Sequence, residues 1–325
     1  MFGIGIKLKL KNYAKFFIVR SNYYLGNYKD TLWIIGDGRS GTTWVANLIN
    51  HDKRYREMFE PVHPQRVVDF NFIRPHEYCR PADFNGKIEE IFADIFSGKY
   101  AHKSVDRDNH TLCFKGLLIK DIFVNLLCFA ATRAYPTVKP VMLIRNPFAV
   151  ALSKQKKSHW CWETEPMNFL LQQNLVQDYL LPFKDIIEST SVKNDFVLNQ
   201  ILIWAIIHYV PLRQFSVNEL HICFYEQIYA SPEQEIKKII SFARGPEIAS
   251  RFKLGKDKIN APSRVVGTAS NVLSGTSPIN SWQKEVSDET YQQGLEILRQ
   301  FGFADLYDDS SMPNPEALLN VRKQS

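Results

Sequence analysis

Short apolar runs alternate along the chain with longer segments in which apolar residues recur at helical spacing. The runs are rich in β-branched and aromatic side chains, and that composition predicts buried strands. The predicted strands cover residues 31–35, 111–119, 139–144 and 221–225. The predicted helices cover residues 42–50, 86–96, 120–135, 168–187, 196–215 and 288–301. This alternation predicts an α/β fold with a mainly parallel central sheet flanked by helices, in which ligands bind at the carboxyl ends of the strands.

Helix-end signals predict two further helices. Asn146 followed by Pro147 combines an N-cap residue with a first-turn proline, so a helix should begin there. Ser231 and Gln234 have the spacing of a capping box, and Gly245 is the expected end of that helix.

Three stretches lack a regular helical pattern. Residues 1–20 alternate apolar and basic positions with period two, which favours an edge strand; attachment to a surface of anionic lipid is the alternative. Residues 51–64 contain two prolines and should be irregular. Residues 262–281 form a polar stretch that is longer than most loops that only connect two elements, which predicts a functional loop. The expected division is an N-terminal basic and apolar segment over residues 1–30, a main domain over 31–310 and a tail over 311–325.

Composition allows an ordinary globular enzyme. The 325 residues suffice for one large α/β domain, and 45% hydrophobic with 23% charged residues permit a sizeable core. The net charge of +6 has the sign that suits an anionic nucleotide, although it identifies no ligand by itself. We expect no nucleic-acid partner.

Cysteine usage indicates a reducing compartment. The five cysteines are odd in number and none has C-x-x-C spacing, so neither a disulfide framework nor a zinc site is predicted. Cys113, Cys128 and Cys223 lie in apolar runs and are expected to be buried thiols. The apolar stretches fall short of the roughly 18 uninterrupted residues of a membrane span, and the N-terminus lacks a signal-peptide cleavage site. We therefore expect a cytoplasmic protein.

The densest candidate chemistry lies in residues 33–44. An apolar strand is followed there by a glycine-rich turn and a helix, which directs backbone N–H groups and the positive end of the helix at one anion. Gly36 and Gly41 have the spacing of a nucleoside-triphosphate P-loop, but Thr42 stands where that loop has its lysine. Arg39 is the only cation inside the loop. The scaffold suits a phosphate, but the residues for ATP hydrolysis are missing.

Six residues of this turn and helix start resemble the 5′-phosphosulfate loop of sulfotransferases, which use 3′-phosphoadenosine 5′-phosphosulfate (PAPS). That loop reads Lys or Arg, Ser, Gly, two Thr or Ser residues and an apolar residue. The matching residues are Arg39, Ser40, Gly41, Thr42, Thr43 and Trp44. The resemblance implies that they bind PAPS as the sulfuryl donor and its bisphosphate product PAP, without a metal ion.

A second match lies at the end of the predicted strand 139–144. Arg145, with Asn-Pro after it and Ser153 eight residues on, resembles the 3′-phosphate motif of the same family. An arginine at a strand end can grip a phosphate bidentately, and the Ser153 hydroxyl can donate to the same group. Tyr225, in a Tyr-Glu-Gln sequence where the family has Tyr-Glu-Asp, is implied to lie by the adenosine. These matches predict two anion-binding groups at one edge of the sheet, one donor length apart.

The C-terminal part narrows the resemblance. Trp282 and the Phe-Gly-Phe sequence at residues 301–303 resemble the ending of carbohydrate and tyrosylprotein sulfotransferases. The glycine-rich closing sequence of the phenol and steroid branch is absent. The resemblance therefore implies the carbohydrate-type side of the superfamily.

Three residues are candidates for the chemical step. The Phe-Glu-Pro sequence at residues 59–61 matches the segment in which carbohydrate-type relatives place a catalytic carboxylate, so the resemblance implies Glu60 as the base. A partly desolvated carboxylate should have a raised pKa; an ion pair with Arg39 or Arg54 is the alternative. His63 is the second candidate for the base. Arg39 should stabilise charge on the leaving group.

The acceptor site is less clearly marked. His159, Trp160 and Trp162 suit a sugar-binding cleft, with core or lid packing as the alternative. Lys157 either adds charge near the 3′-phosphate or is a solvated helix end. We expect a sulfotransferase that moves a sulfuryl group from PAPS to a hydroxyl of a carbohydrate, glycolipid or similar acceptor. A P-loop kinase or NTPase and a non-catalytic nucleotide-binding relative are the alternatives.

Overall fold

A computed structural model describes residues 2–255 and 279–323 of the chain, with side chains described from residue 13 to residue 322. The functional loop predicted over residues 262–281 lies outside those ranges except for residues 279–281.

Five parallel strands form the central sheet, in the order β2-β3-β1-β4-β5. Their bounds are β1 Asp30–Gly36, β2 Tyr55–Phe59, β3 Gly116–Lys120, β4 Lys139–Ile144 and β5 His221–Phe224. Because all strands run the same way, their carboxyl ends meet at one edge of the sheet, which we call the carboxyl edge. The predicted α/β fold with a mainly parallel sheet is confirmed.

Helices cover both faces of the sheet. The first seven are α1 Phe2–Tyr24, α2 Thr42–Ile49, α3 Gly86–Phe96, α4 Cys128–Ala134, α5 Pro147–Gln155, α6 Met167–Leu170 and α7 Gln173–Leu175. The next seven are α8 Lys184–Val192, α9 Phe196–Gln214, α10 Tyr225–Ala230, α11 Pro232–Arg244, α12 Pro246–Ser250, α13 Asp288–Gln300 and α14 Ala317–Lys323. Short 3₁₀ or π turns lie at Val68–Phe70, Pro81–Asp83, Val176–Leu180, Leu181–Phe183 and Ser281–Lys284.

The core consists of two apolar layers, one on each face of the sheet. Successive residues of a strand point to opposite faces, so Trp33 and Ile35 enter one layer while Leu32 and Ile34 enter the other. The first layer includes α9, which is buried along nearly its whole length. Its length and apolarity match those of a membrane span, but 89% of its apolar window is buried inside the molecule. It is therefore a core helix.

Strand β2 corrects the prediction of an irregular stretch over residues 51–64. Two of its five residues are charged, which hides its apolar pattern, yet all five are buried. Arg56 can be fully buried because its charge is paired: its Nε donates to Asp106 Oδ1 at 2.7 Å. The Glu57 backbone N–H donates to the Asn109 side chain at 2.9 Å. Tertiary partners that are distant in sequence therefore make a strand of this segment.

The N-terminal edge strand predicted over residues 1–20 is also wrong, because these residues belong to helix α1. The outer edge of β2 is already occupied: the Phe59 N–H donates to the Val105 carbonyl at 3.0 Å. Helix α1 instead packs on the segment that covers this edge. Its Asn22 side chain donates to the Leu112 carbonyl and accepts from the Phe114 N–H, each at 2.9 Å.

Several predicted boundaries change for local reasons. The long helix expected over residues 168–187 is broken into short turns, and Pro182, which lacks an N–H group, lies at one break. The helix expected over residues 120–135 begins only at Cys128. Ser231 begins α11 but makes no side-chain capping bond, whereas Gly245 ends that helix with φ 90° as expected. Cys113 is exposed, against the prediction.

Candidate active site

From the end of β1 to the start of α2 the chain is packed so closely that an added Cβ would lie within 3.0 Å of a neighbour at each of Gly36, Gly38 and Gly41. A Cβ on Gly36 would lie 2.6 Å from the Leu143 carbonyl oxygen, and one on Gly41 would lie 2.6 Å from the ring of Tyr225. Gly41 also has φ 96°, in the left-handed region that favours glycine. The loop backbone therefore lies directly against the points where β4 and β5 end.

Arg39 joins this loop to helix α5. Its Nε donates to Ser153 Oγ at 3.0 Å, and its carbonyl oxygen accepts from Arg145 Nη1 at 3.0 Å. Burial and the charge of Arg145 lower the pKa of Arg39. The motifs predict two anion-binding groups one donor length apart: the glycine loop with Arg39, and Arg145 with Ser153. In the structure the Arg39 side chain reaches from the first group to Ser153 of the second. Arg39 and Arg145 therefore contribute two guanidinium groups to one cluster, and together they attract an anion.

The turn that carries Arg145 is fixed by buried polar contacts. The Asn146 side chain accepts from the first N–H groups of α5, which confirms the predicted N-cap. The Asn146 N–H donates to Glu226 Oε1 at 2.9 Å, and Trp204 Nε1 donates to the Arg145 carbonyl at 3.0 Å. The guanidinium carbon of Arg145 lies 4.3 Å from the ring centroid of Tyr225. The structure therefore brings Arg39, Arg145, Ser153 and Tyr225 into one cluster.

The remaining loop residues line the same cluster or support it. The Trp44 and Tyr225 rings lie 5.5 Å apart and form an aromatic surface beside Gly41. Thr42 is buried and Thr43 half-buried at the start of α2, where the helix presents free N–H groups. The Ser40 hydroxyl is buried and has no hydrogen-bond partner. A bound anion oxygen would satisfy this hydroxyl, so the loop fits a phosphate or sulfate group.

A buried ion pair inside the loop was missed by the sequence reasoning. Lys154 Nζ lies 2.6 Å from Asp37 Oδ1 and donates to Gln200 Oε1 at 2.8 Å. Both ions are at least 97% buried as side chains, and burial lowers the pKa of Lys154. The pair neutralises a carboxylate in an anion-binding loop and ties that loop to α5 and α9. The only sequence signal is a lysine directly after Ser153, in a run whose pattern is typical of a solvated basic helix end.

Glu60 lies at the carboxyl end of β2 in a basic setting. Lys120 Nζ donates to Glu60 Oε1, and Arg66 Nη1 lies 3.1 Å from Oε2. Burial acts to raise the pKa of Glu60, but Lys120, Arg66 and His63 outweigh it and the pKa is lowered. This corrects the expected raised pKa. The expected ion-pair partners are also corrected, because Arg54 pairs with Asp52 at 2.7 Å instead.

His63 lies beside Glu60 but is oriented by its own backbone. Its Nδ1 accepts from the N–H groups of Gln65 at 3.2 Å and Arg66 at 3.3 Å, so the proton of the neutral ring is on Nε2. That nitrogen faces Glu60 Oε2 at 3.9 Å. Burial lowers the pKa of His63 to about 4. In this arrangement the Nε2–H of His63 can orient Glu60. The Nδ1 lone pair of His63, which a base would use, is already accepting from the two backbone N–H groups.

Asp121 is a further carboxylate that sequence reasoning missed. It follows β3, and its Oδ2 accepts from Trp33 Nε1 at 3.0 Å while Oδ1 accepts from the Val62 N–H at 3.4 Å. Burial raises the pKa of Asp121 to about 7. The contact with Val62 holds the turn that carries Glu60 against β1.

The strand order places these groups in a row. Glu60 follows β2, Asp121 follows β3, the glycine loop follows β1, Arg145 follows β4 and Tyr225 follows β5. Neighbouring strands are about 4.8 Å apart, so the backbones at Glu60 and at the loop are separated by roughly 10 Å. The predicted anion-binding residues form one cluster, and the predicted bases form a second group two strands away.

The aromatic residues predicted for an acceptor cleft lie over the loop. A Cβ on Gly38 would lie 2.4 Å from the Trp162 ring, and the guanidinium carbon of Arg39 lies 5.3 Å from the Trp160 ring centroid. His159 is exposed, and the Lys157 carbonyl accepts from Trp162 Nε1 at 2.9 Å. These rings therefore cover the anion-binding cluster.

The C-terminal motif supports α5 from the other side. Trp282 stacks on Phe148 with ring centroids 5.0 Å apart, and its Nε1 donates to Ser311 Oγ at 3.1 Å. Phe301 and Phe303 are buried in the same layer. Among the described residues, no group of three or more His, Cys, Asp or Glu side chains could hold a metal ion.

Comparisons with known proteins return similar structures only. No family model and no curated protein matches the sequence. A sulfotransferase domain from the curacin biosynthetic pathway is 13% identical, with 83% of this chain and 96% of that chain covered and a TM-score of 0.44. A sulfotransferase from Alicyclobacillus acidocaldarius is 13% identical, with 78% and 99% covered and a TM-score of 0.39. A retinol dehydratase bound to retinol and PAP is 16% identical, with 86% and 83% covered and a TM-score of 0.38.

These similar structures are sulfotransferases and a retinol dehydratase. Each TM-score is below 0.5 and each identity is 16% or less. The function proposed below is therefore supported by the geometry of the site.

Proposed function

We propose that the protein is a PAPS-dependent sulfotransferase. The observation that carries the proposal is the contact of Arg39 with both Ser153 and Arg145, since it joins the glycine loop and the end of β4 in one anion-binding cluster. PAPS carries a phosphosulfate and a separate 3′-phosphate, and this cluster offers a cationic group for each. The loop suits a nucleoside triphosphate less well, because Thr42 stands where a P-loop has the lysine that contacts the terminal phosphates.

The residues present fit the donor. The loop N–H groups, the Ser40 hydroxyl and Arg39 would bind the phosphosulfate, while Arg145 and Ser153 would bind the 3′-phosphate. The aromatic surface of Trp44 and Tyr225 would border the nucleoside. Binding of the donor would separate Arg39 from Ser153, so that the two groups act on different anions.

The proposed reaction is an in-line displacement at sulfur. The acceptor oxygen forms a bond to sulfur, the bond from sulfur to the bridging oxygen breaks, and its electron pair stays on the 5′-phosphate of PAP. Glu60 takes the proton of the acceptor hydroxyl. Arg39 and the loop N–H groups stabilise charge on the leaving oxygen, and Arg39 remains charged throughout. The lowered pKa of Glu60 keeps it ionised, which is the state that accepts a proton.

We further propose a hydroxyl of a carbohydrate or glycolipid as the acceptor and the cytoplasm as the location. The acceptor proposal is supported by the Phe-Glu-Pro sequence at residues 59–61 and by the half-buried rings of Trp160 and Trp162, whose faces suit sugars. The location is supported by five unpaired cysteines, of which Cys113 and Cys161 are exposed.

Nucleotide binding tests the donor assignment. Thermal unfolding should shift upward with PAP and respond much less to ATP with magnesium. The variant Arg145→Ala should lose the PAP shift, while Arg133→Ala, at an exposed position on α4 before the amino end of β4, should keep it. A larger shift with ATP and magnesium than with PAP would favour a kinase or NTPase and reject the donor.

Transfer is tested separately. Radiolabelled PAPS is incubated with glycans, glycolipids and small alcohols, and labelled product is separated from donor. Label on a sugar hydroxyl supports the full proposal, whereas label only on other alcohols rejects the acceptor class. Tight PAP binding without transfer to any acceptor would favour a non-catalytic nucleotide-binding relative.

A further inference from the structure

Helix α1 carries an exposed aromatic stripe. Tyr13, Phe17 and Tyr24 are 72%, 74% and 79% exposed, although large apolar side chains are usually covered. Their spacing of four and seven residues, with exposed Arg20 between them, places them on one face of the helix. The opposite face packs on the protein.

That opposite face is held by specific contacts. Val19 is 1% exposed and Asn22 is 2% exposed. The Val19 carbonyl accepts from Tyr28 Oη at 3.0 Å, and the Asn22 side chain bonds to residues 112 and 114. The orientation of the helix is therefore fixed, and the stripe faces outward. Leu112, whose carbonyl accepts from Asn22, is 75% exposed and adds apolar surface beside the helix.

The excess of positive over negative charge in the chain lies in the same N-terminal segment. Residues 1–29 contain six lysines and arginines and no acidic residue. Without those six, the 40 basic residues of the chain fall to 34, which equals the number of acidic residues. The entire net charge of +6 therefore belongs to the N-terminal segment, and the remainder of the molecule is neutral overall.

We propose that α1 docks the protein on the surface of an anionic lipid bilayer. Aromatic side chains favour the headgroup level of a bilayer, and clustered basic residues are attracted by anionic lipid. A stripe of aromatic residues with a cation among them matches both requirements at once. A second copy of the chain fits less well, since two such segments would repel each other. The proposal does not depend on the sulfotransferase function.

The position of α1 relates the docking surface to the active site. Lys15 Nζ donates to the Arg107 carbonyl at 2.7 Å, and the Arg107 guanidinium lies 3.6 Å from the ring centroid of Phe59, the residue before Glu60. Asn22, seven residues later, contacts the segment that leads into the amino end of β3. The helix therefore runs antiparallel to the neighbouring strands, beside the outer edge of β2, the strand that Glu60 follows. A bilayer docked on the outward stripe would lie alongside that edge of the sheet.

Vesicle co-sedimentation tests the proposal with the full chain. Binding to phosphatidylcholine vesicles that contain phosphatidylserine should exceed binding to pure phosphatidylcholine and should fall as salt increases. Arg20→Glu should weaken binding by about tenfold, because it replaces an attraction near the surface by a repulsion. Lys253→Glu makes the same charge change at an exposed position elsewhere and should leave binding unchanged.

The aromatic contribution is tested by Tyr13→Ser with Phe17→Ser. This double variant should lose most binding at every salt concentration, while Val192→Ser with Val217→Ser, at exposed positions of 86% and 63%, should retain it. Unchanged thermal unfolding would show that all variants fold. Absence of binding to anionic vesicles at low salt, equal binding to neutral vesicles, or unchanged binding by both α1 variants would overturn the proposal. Concentration-dependent dimerisation lost in the α1 variants would assign the stripe to a second copy instead.

Discussion

Among single residues, Glu60 shows most clearly how its surroundings decide what a carboxylate can do. Lys120 and Arg66 keep it ionised, while the Nε2–H of His63 faces it from 3.9 Å. A base of lowered pKa is weaker than one poised near neutrality. It nevertheless remains ionised and ready to accept a proton over a wide pH range.

Glu60→Gln should lower kcat by about 10²- to 10⁴-fold, because the amide cannot accept the proton. PAP affinity should change by less than about twofold, since Glu60 lies some two strand spacings from the anion-binding loop. Steady-state transfer assays and calorimetric PAP titration measure the two effects.

His63→Asn is the matched comparison for Glu60→Gln. The asparagine oxygen can replace Nδ1 as the acceptor for the backbone N–H groups of Gln65 and Arg66, so the turn is kept. We expect a smaller loss of kcat than in Glu60→Gln. An equal loss with intact PAP binding would assign the proton transfer to His63.

Asp37 is a negatively charged residue inside a loop that binds anions, and its pairing with Lys154 explains how this is tolerated. The carboxylate of Asp37 would repel a phosphate if it were unpaired, but Lys154 neutralises it at 2.6 Å. Removing one partner of a buried pair leaves an uncompensated charge, whereas removing both is much less costly.

Lys154→Met should therefore destabilise the protein by about 3–5 kcal/mol and weaken PAP binding. Adding Asp37→Asn to Lys154→Met should restore most of the free energy of unfolding. Urea unfolding of both single variants and the double variant forms the cycle that measures the coupling. Additive effects of the two changes would show that the pair does not act as a unit.

Among the structural elements, the loop between β1 and α2 depends on glycine at position 41 for two separate reasons. Gly41 has φ 96°, and its missing side chain makes room for the Tyr225 ring. Gly26 has φ 67°, but a Cβ added there would have no atom within 4 Å, so it shares only the first constraint. The two glycines allow backbone strain to be separated from crowding.

Gly41→Ala should lower the free energy of unfolding by about 1–3 kcal/mol more than Gly26→Ala, because only the former forces overpacking. It should also weaken PAP binding, since the ring of Tyr225 or the loop must move. Thermal unfolding and PAP titration of the two variants test this. Equal effects of the two substitutions on stability and PAP binding would contradict the role of the Tyr225 contact.

Across the whole molecule, buried carboxyl groups and buried histidines have opposite effects on stability as pH changes between about pH 4 and pH 7. Burial raises the pKa values of Asp121 and Glu226 to about 7. Such groups stabilise the fold at low pH, and their contribution is lost as pH rises through the folded-state pKa. Burial lowers the pKa values of His63, His76 and His208 to about 4, 3 and 4, and their contribution is lost as pH falls below about 6.5.

Glu226→Gln isolates one of these groups while the amide oxygen can still accept from the Asn146 N–H. Between about pH 5 and pH 8, wild type should lose about 2–3 kcal/mol more stability than the variant, because only wild type must ionise a buried carboxyl. Urea unfolding at both pH values measures the difference. An identical pH dependence in the two proteins would mean that Glu226 titrates normally.

Much of the site could be predicted because its residues are local in sequence. The loop residues, Arg145 and Ser153 lie within strand–turn–helix units whose apolar periodicity and cap residues are visible along the chain, and the N-cap at Asn146 is confirmed. Groups that depend on distant partners were not predicted. Glu226 reaches the Arg145 turn from 80 residues away, and Asp37 and Lys154 are separated by 117 residues.

Local patterns along the chain were enough to predict the parallel α/β architecture, the glycine loop at the end of β1 and the positive charge of the N-terminal segment. Other features became visible only in the folded chain: residues 55–59 form a strand, α1 is a helix, and Lys120 holds Glu60 with a lowered pKa. Periodicity and turn chemistry are set by neighbours along the chain. Burial of a charge and its pKa depend instead on groups that only folding brings together.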